Sequence, residues 1–188
     1  FDERSELVQV VSKAIGRRSD QLIIDALAAS STSLTVSNDI GGTDTNLSVA
    51  KLREAQRLMN ANNVPMEDRN ILIHASNLAS LLSETAVTSS DFNTVKALVQ
   101  GELDTFLGFK FITIGDRSEG GLSGGGSGSD RTVYAYHKSA IGMAEGMGVR
   151  SEINYIPEKT SWLVASMFSA GATTIDAEGI VSIVARES

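Results

Sequence analysis

The residues best suited to chemistry in this chain are a serine among glycines and two histidines. Gly121-Leu122-Ser123-Gly124-Gly125 fits the G-x-S-x-G pattern, in which a tight turn between a strand and a helix presents a nucleophilic serine. With Ser123 as nucleophile and His137 as its base, the chain would be a small serine hydrolase. However, the tract is framed by polar and glycine-rich sequence instead of a strand and a helix. We therefore expect a chance match and keep the hydrolase as the alternative.

The remaining candidate groups do not combine into a site either. His74 and His137 are the only histidines, and neither has a histidine partner four residues away or a carboxylate cluster nearby, so a metal site is not expected. Three glycines lack the spacing of a dinucleotide-binding fingerprint, namely Gly142, Gly146 and Gly148. Three carboxylates are best explained as helix caps and solvated side chains, namely Asp91, Glu102 and Asp104. The chain has no cysteine. The sequence thus predicts no catalytic, cofactor-binding or metal-binding residue, and a protein that is not an enzyme.

The charge balance narrows the choice of partners. The chain has 188 residues and a formal net charge of −7, and its one basic pair, Arg17-Arg18, is followed by Asp20 and Asp25. Tight binding to nucleic acid requires a concentrated basic face, which these residues do not provide. The sequence contains no run of about 18 apolar residues, the length that a membrane-spanning helix needs.

Hydrophobic periodicity predicts helices and strands interspersed along the chain, an α+β or mixed α/β class. A long amphipathic helix is expected over residues 2–29. Shorter helices are expected at 47–60 after an Asn46 cap, after a Ser76 cap, at 92–99 after an Asp91 cap, and at 138–145. Strands are predicted at 34–36, 71–73, 109–114, 132–137, 152–156, 161–168 and 180–184, with a flexible loop at 120–129. Trp162 is expected in the core.

Four stretches in this order resemble a known family. They are residues 14–27 within the long helix, beginning Ala14-Ile15-Gly16-Arg17-Arg18; Asn63-Val64-Pro65-Met66-Glu67-Asp68-Arg69 with the strand 71–74 that follows; Leu107-Gly108-Phe109-Lys110-Phe111-Ile112; and the run from Tyr136-His137-Lys138-Ser139-Ala140-Ile141-Gly142 through Glu152-Ile153 to Ala170-Gly171-Ala172 and Gly179-Ile180-Val181-Ser182-Ile183. The chain resembles the major capsid protein of tailed bacteriophages, with the coat fold known as the Johnson fold, from about residue 2 to residue 186.

The resemblance implies an α+β coat fold with a long spine helix, a peripheral domain and an axial domain. Residues 1–45 would form the spine helix and its connection in the peripheral domain, residues 46–156 the axial domain, and residues 157–188 the return strands. The final strand would either stay with the peripheral domain or join the axial sheet. In this family an N-terminal arm and an extended loop precede the spine helix. Neither is found before Phe1, so the chain is expected to be a fragment.

The resemblance also implies a function. The chain would be a structural coat subunit that joins copies of itself as pentamers and hexamers in an icosahedral phage or prophage shell around DNA. A scaffolding protein would be a further partner, DNA would be held only weakly, and no cofactor or membrane would be involved. The protein would be found in the virion after assembly in the cytoplasm of the bacterial host. An acidic balance suits a container that must not adhere to phosphates.

Overall fold

The chain begins with one long helix, α1 (Glu3–Ala28), as the apolar repeat predicts. Its 26 residues correspond to about 39 Å at the usual helical rise. The computed structural model describes residues 3–84, 105–122 and 124–187. The predicted helix at 92–99, its Asp91 cap, Glu102, Asp104 and Ser123 lie outside these residues.

The other elements follow α1 in chain order. They are β1 (Thr35–Val36), α2 (Val49–Ala61), β2 (Arg69–His74), α3 (Ala75–Ser83), β3 (Thr105–Phe106), β4 (Phe109–Ile114), β5 (Asp130–His137), β6 (Ile141–Ile156), β7 (Ser161–Thr174) and β8 (Ile180–Arg186). Single 3₁₀ turns, Lys138–Ala140 and Pro157–Lys159, precede β6 and β7.

Six of the strands form one mixed sheet in the order β1-β8-β5-β2-β4-β3. One face of this sheet packs on α2 and α3 through a continuous apolar core that includes Leu52, Met59, Leu81, Ile71, Ile73, Phe109, Val133 and Ile183. A second cluster lies between the sheet and the C-terminal half of α1, with Ile24, Leu27, Leu72 and Ile180 at its centre. Burial of these side chains supplies most of the favourable free energy of folding.

Strands β6 and β7 pair only with each other, as a separate antiparallel hairpin. The prediction of a helix at 138–145 is wrong, because this segment is a 3₁₀ turn followed by the start of β6. Its Ala, Met and Glu residues favour a helix locally, but pairing with β7 overrides that preference. Helix α1 packs along β7, and the Thr174 hydroxyl donates a hydrogen bond to the Ala26 carbonyl at 3.0 Å.

Two helix caps differ from the sequence prediction. The N-cap of α2 is Ser48, whose side chain accepts from the Lys51 amide, while Asn46 instead accepts from the Leu47 amide and from the Asn77 side chain. The N-cap of α3 is His74, two residues earlier in the chain than the predicted Ser76. In both cases a neighbouring polar side chain satisfies the free amides of the first turn.

Each of the two sheets contains strands from segments that the sequence prediction assigned to different domains. Strands β1 and β8 belong to the six-stranded sheet with β2, β4 and β5, so the final strand joins the sheet built mainly from residues 46–140. Strand β6 lies within the segment 46–156 yet pairs with β7. The boundaries of the peripheral and axial domains stay a prediction.

Candidate functional site

The hydrolase alternative depends on Ser123 and His137, and the structure does not support it. The ring Nδ1 of His137 lies 2.7 Å from the Ser139 hydroxyl and accepts from the Ser139 amide at 3.2 Å, so this histidine caps the 3₁₀ turn that follows it. From Gly124 the chain continues through a loop into β5, where the G-x-S-x-G motif would require a helix.

Charged groups instead meet in a buried cluster at the end of β8. The guanidinium of Arg131 is 1% exposed and lies 2.6 Å from both Glu187 and Asp116. The Ser76 hydroxyl and the Gly126 amide also donate to Glu187, at 2.5 and 2.6 Å. Burial alone would raise the pKa of Glu187, but these hydrogen bonds and the arginine charge outweigh it and hold the pKa at about 2. The carboxylate is therefore charged at all physiological pH values.

The buried ionic cluster fastens the glycine-rich loop to the sheet. The Arg131 side chain also donates to the Leu122 carbonyl, and the His74 ring lies 3.3 Å from Glu187 and 3.4 Å from Asp116. The positive charge at the centre of this ionic cluster therefore comes from the Arg131 side chain. Among the residues that the structure describes, no group of three histidines, cysteines or carboxylates could hold a metal ion. Sequence reasoning missed this cluster because Arg131 and Glu187 are 56 positions apart.

The same loop is also attached to α1. The Gln21 side-chain oxygen accepts from the amides of Gly120 and Gly121 at 3.0 and 3.4 Å, and Arg18 lies 3.6 Å from Glu119. A cavity of about 520 Å³ lies next to this contact, between α1 and the sheet, with a largely apolar wall and Arg17 and Arg117 among its polar residues. The loop at 115–122 therefore joins the spine helix to the six-stranded sheet.

The most unusual surface of the described residues is the β6–β7 hairpin. Seven large hydrophobic side chains are exposed on its two strands, namely Met143, Met147, Val149, Tyr155, Trp162, Leu163 and Met167. Trp162 is 39% exposed, with its ring centroid 5.2 Å from that of Tyr155, so its predicted place in the core is wrong. A concentration of exposed apolar side chains is typical of an interaction surface.

Comparison with protein families shows which family the chain belongs to. A family model described as phage capsid protein matches residues 1–187. The chain belongs to this phage capsid protein family. The comparison with curated proteins found no match.

Solved structures agree with the family at the level of the fold. The head structure of Helicobacter pylori bacteriophage KHP40 matches with a TM-score of 0.76 and 12% identity, over 100% of this chain and 69% of that one. The capsid structure of cyanophage P-SCSP1u gives 0.72 and 19%, over 100% and 67%. A chain of Mycobacterium phage Che8 gives 0.72 and 17%, over 94% of this capsid protein and 61% of that chain. The predicted α+β phage coat fold is confirmed, and the chain spans about two thirds of the length of these proteins.

In this capsid protein the hairpin has a covered face and an open face. From Met167 to Thr174 the residues of β7 alternate between exposed and half-buried, and the half-buried set includes Thr174, which bonds to α1. The open face carries Leu163 and Met167 on β7 and Met147 on β6. Among the residues that the structure describes, no helix is long and apolar enough to cross a membrane.

Proposed function

We propose that this chain is a structural coat subunit, not an enzyme, and that it assembles with copies of itself into an icosahedral phage or prophage shell. The observation that carries this proposal is the hairpin of β6 and β7, which forms a sheet of only two strands and leaves seven large hydrophobic side chains exposed. Helix α1 covers one face of this sheet, and burial of the apolar side chains on the other face requires a further surface. Neighbouring copies in a shell provide that surface.

Membership of the phage capsid protein family supports the same proposal. In a shell the copies are arranged as pentamers and hexamers around symmetry axes, where each subunit contacts several neighbours at once. A scaffolding protein guides the assembly, which takes place in the cytoplasm of the bacterial host before the protein is part of the virion. The peripheral domain comprises residues 1–45 and 157–188, and the axial domain residues 46–156.

The charge of the subunit fits a container for DNA. Each copy carries a formal net charge of −7, so a shell of many copies repels the phosphates it encloses unless basic residues are concentrated on one face. DNA is therefore held only weakly. The proposed shell thus encloses DNA without binding it tightly.

Assembly is tested by expressing the chain and measuring its mass by light scattering, followed by electron microscopy. We expect association that increases with protein concentration and yields rings, sheets or shells, because the hairpin surface is uncovered in the isolated subunit. A folded protein that stays monomeric at every concentration, with or without added salt to screen the net charge, would contradict the proposal.

A further inference from the structure

The two strands of the hairpin differ sharply in charge. No charged residue occurs between Lys159 and Asp176, so the whole of β7 is uncharged, whereas β6 carries Glu145, Arg150 and Glu152. Each copy has a net charge of −7, so a contact between two copies is opposed least by charge repulsion where the surfaces that meet are uncharged. Strand β7 provides such a surface over 14 residues.

The strands also differ in regularity. The pairing register shifts twice, between Glu145 and Met147 and between Met147 and Arg150, and on each occasion the extra residue is in β6. Bulges and charged side chains are two of the devices by which proteins prevent an edge strand from pairing with another chain. Strand β6 has both. Strand β7 has neither, and it contains no proline.

The edge strands of the six-stranded sheet are much shorter than β7. The six-stranded sheet ends in β1 and β3, which have two residues each, and a very short edge strand offers little to pair with. Among the residues that the structure describes, β7 is thus the longest strand edge that has neither a charged residue nor a bulge. Its exposed face adds Leu163 and Met167, which are 47% and 50% exposed.

We propose that β7 is the strand through which two copies of this chain join, by antiparallel pairing of β7 with β7 of a second copy around a twofold axis. The contact is isologous, because the same unprotected edge occurs once in each described chain. Pairing supplies partners to the backbone groups along the edge and extends the two-stranded hairpin to a sheet of four strands. This inference rests on the proposed function and specifies which strand carries one of its contacts.

The geometry of strand pairing gives a sharp test, because the natural chain contains no cysteine. A strand added at β7 lies about 4.8 Å from it and about 9.6 Å from β6. Two cysteines form a disulfide only when their Cα atoms are within about 7 Å. Single cysteines are therefore placed at each position from 161 to 174 in β7 and, as the matched set, from 141 to 156 in β6, and each variant is oxidised mildly.

We expect covalent dimers to peak at one or two neighbouring β7 positions, near the twofold axis, with no comparable peak in β6. A peak in β6, equal yields along both strands, or no peak in β7 while the wild-type chain associates would overturn the assignment of β7. A wild-type chain that never associates would contradict the proposed function itself, so the two failures are distinguishable.

A second comparison uses two methionines of similar exposure on the same open face. Met167 on β7 and Met147 on β6 are 50% and 43% exposed, so each accepts a lysine without disturbing the core. Met167→Lys should raise the concentration needed for association by about tenfold or more, since it places a charged side chain on the uncharged strand at the contact, and Met147→Lys by much less. Circular dichroism checks that both variants fold. An equal effect of the two substitutions would contradict pairing through β7.

Discussion

Replacing Glu187 by glutamine tests whether the buried ionic cluster stabilises the fold. Glutamine keeps the size and polarity of the side chain, but it removes the charge that Arg131 faces at 2.6 Å. The remaining carboxylate at that guanidinium, Asp116, is 59% exposed and is a weaker partner because water screens it. The substitution therefore leaves a buried arginine with incomplete compensation, the costly case for an ion pair.

The size of the effect follows from the pKa of Glu187. The folded protein holds this pKa at about 2, against 4.5 for an unperturbed glutamate. A difference of about 2.5 units corresponds to about 3 kcal/mol of stability that the charged carboxylate contributes. Because the folded pKa lies below the unfolded one, the contribution is fully present above pH 4.5 and is lost as the pH falls towards 2.

The assay is urea unfolding of the wild type and of Glu187→Gln at several pH values between 2.5 and 7. We expect the variant to be less stable by about 3 kcal/mol at pH 7, and the difference to shrink steadily below about pH 4.5. Glu158→Gln is the matched control, since Glu158 is exposed in the turn before β7 and its replacement should change stability by less than about 0.5 kcal/mol. A difference that stays constant with pH, or one below about 1 kcal/mol at pH 7, would refute the reasoning.

Two further predictions concern the loop that joins α1 to the sheet. Gly121→Ala should destabilise the fold by about 1–3 kcal/mol, because the added Cβ would overlap the backbone oxygens of Arg117 and Gly115; thermal unfolding measures the loss, and Gly115→Ala, where a Cβ meets nothing within 4 Å, should change little. Gln21→Ala should remove the acceptor of the Gly120 and Gly121 amides at a cost of about 1 kcal/mol and speed their hydrogen exchange. Unchanged exchange, or an equal effect from Gln9→Ala on the exposed part of α1, would show that this contact does not hold the loop.

Local pattern was sufficient for the elements that carry a strong repeat. Helix α1 (Glu3–Ala28) and strand β4 (Phe109–Ile114) occur where the sequence predicts them, within one residue at each end. The apolar residues of each element recur with the period of that element. Strand β4 contains no proline or glycine, and most of α1 is also free of them. The ordered set of stretches that resemble phage capsid proteins was also sufficient to predict the coat fold.

Local pattern failed where a distant partner decides the structure. The segment at 141–145 contains good helix formers, yet it is a strand because β7, about 30 positions later, pairs with it. Trp162 is a large aromatic residue of the kind usually found in a core, but it is 39% exposed on the hairpin of β6 and β7. A single sequence gives the preference of a segment but not the surface it meets.

The sequence by itself determined the long helix, most strands, the acidic charge and the absence of cysteine, since these depend on composition and on spacing within about ten residues. Only the tertiary structure decided that Arg131 meets Glu187, that β8 joins the sheet of β2, β4 and β5, and that β7 is left with an uncharged open edge. The physical reason is that pairing between strands and burial of charge depend on which segments meet in space. These contacts join residues far apart in the chain, where no local periodicity records them.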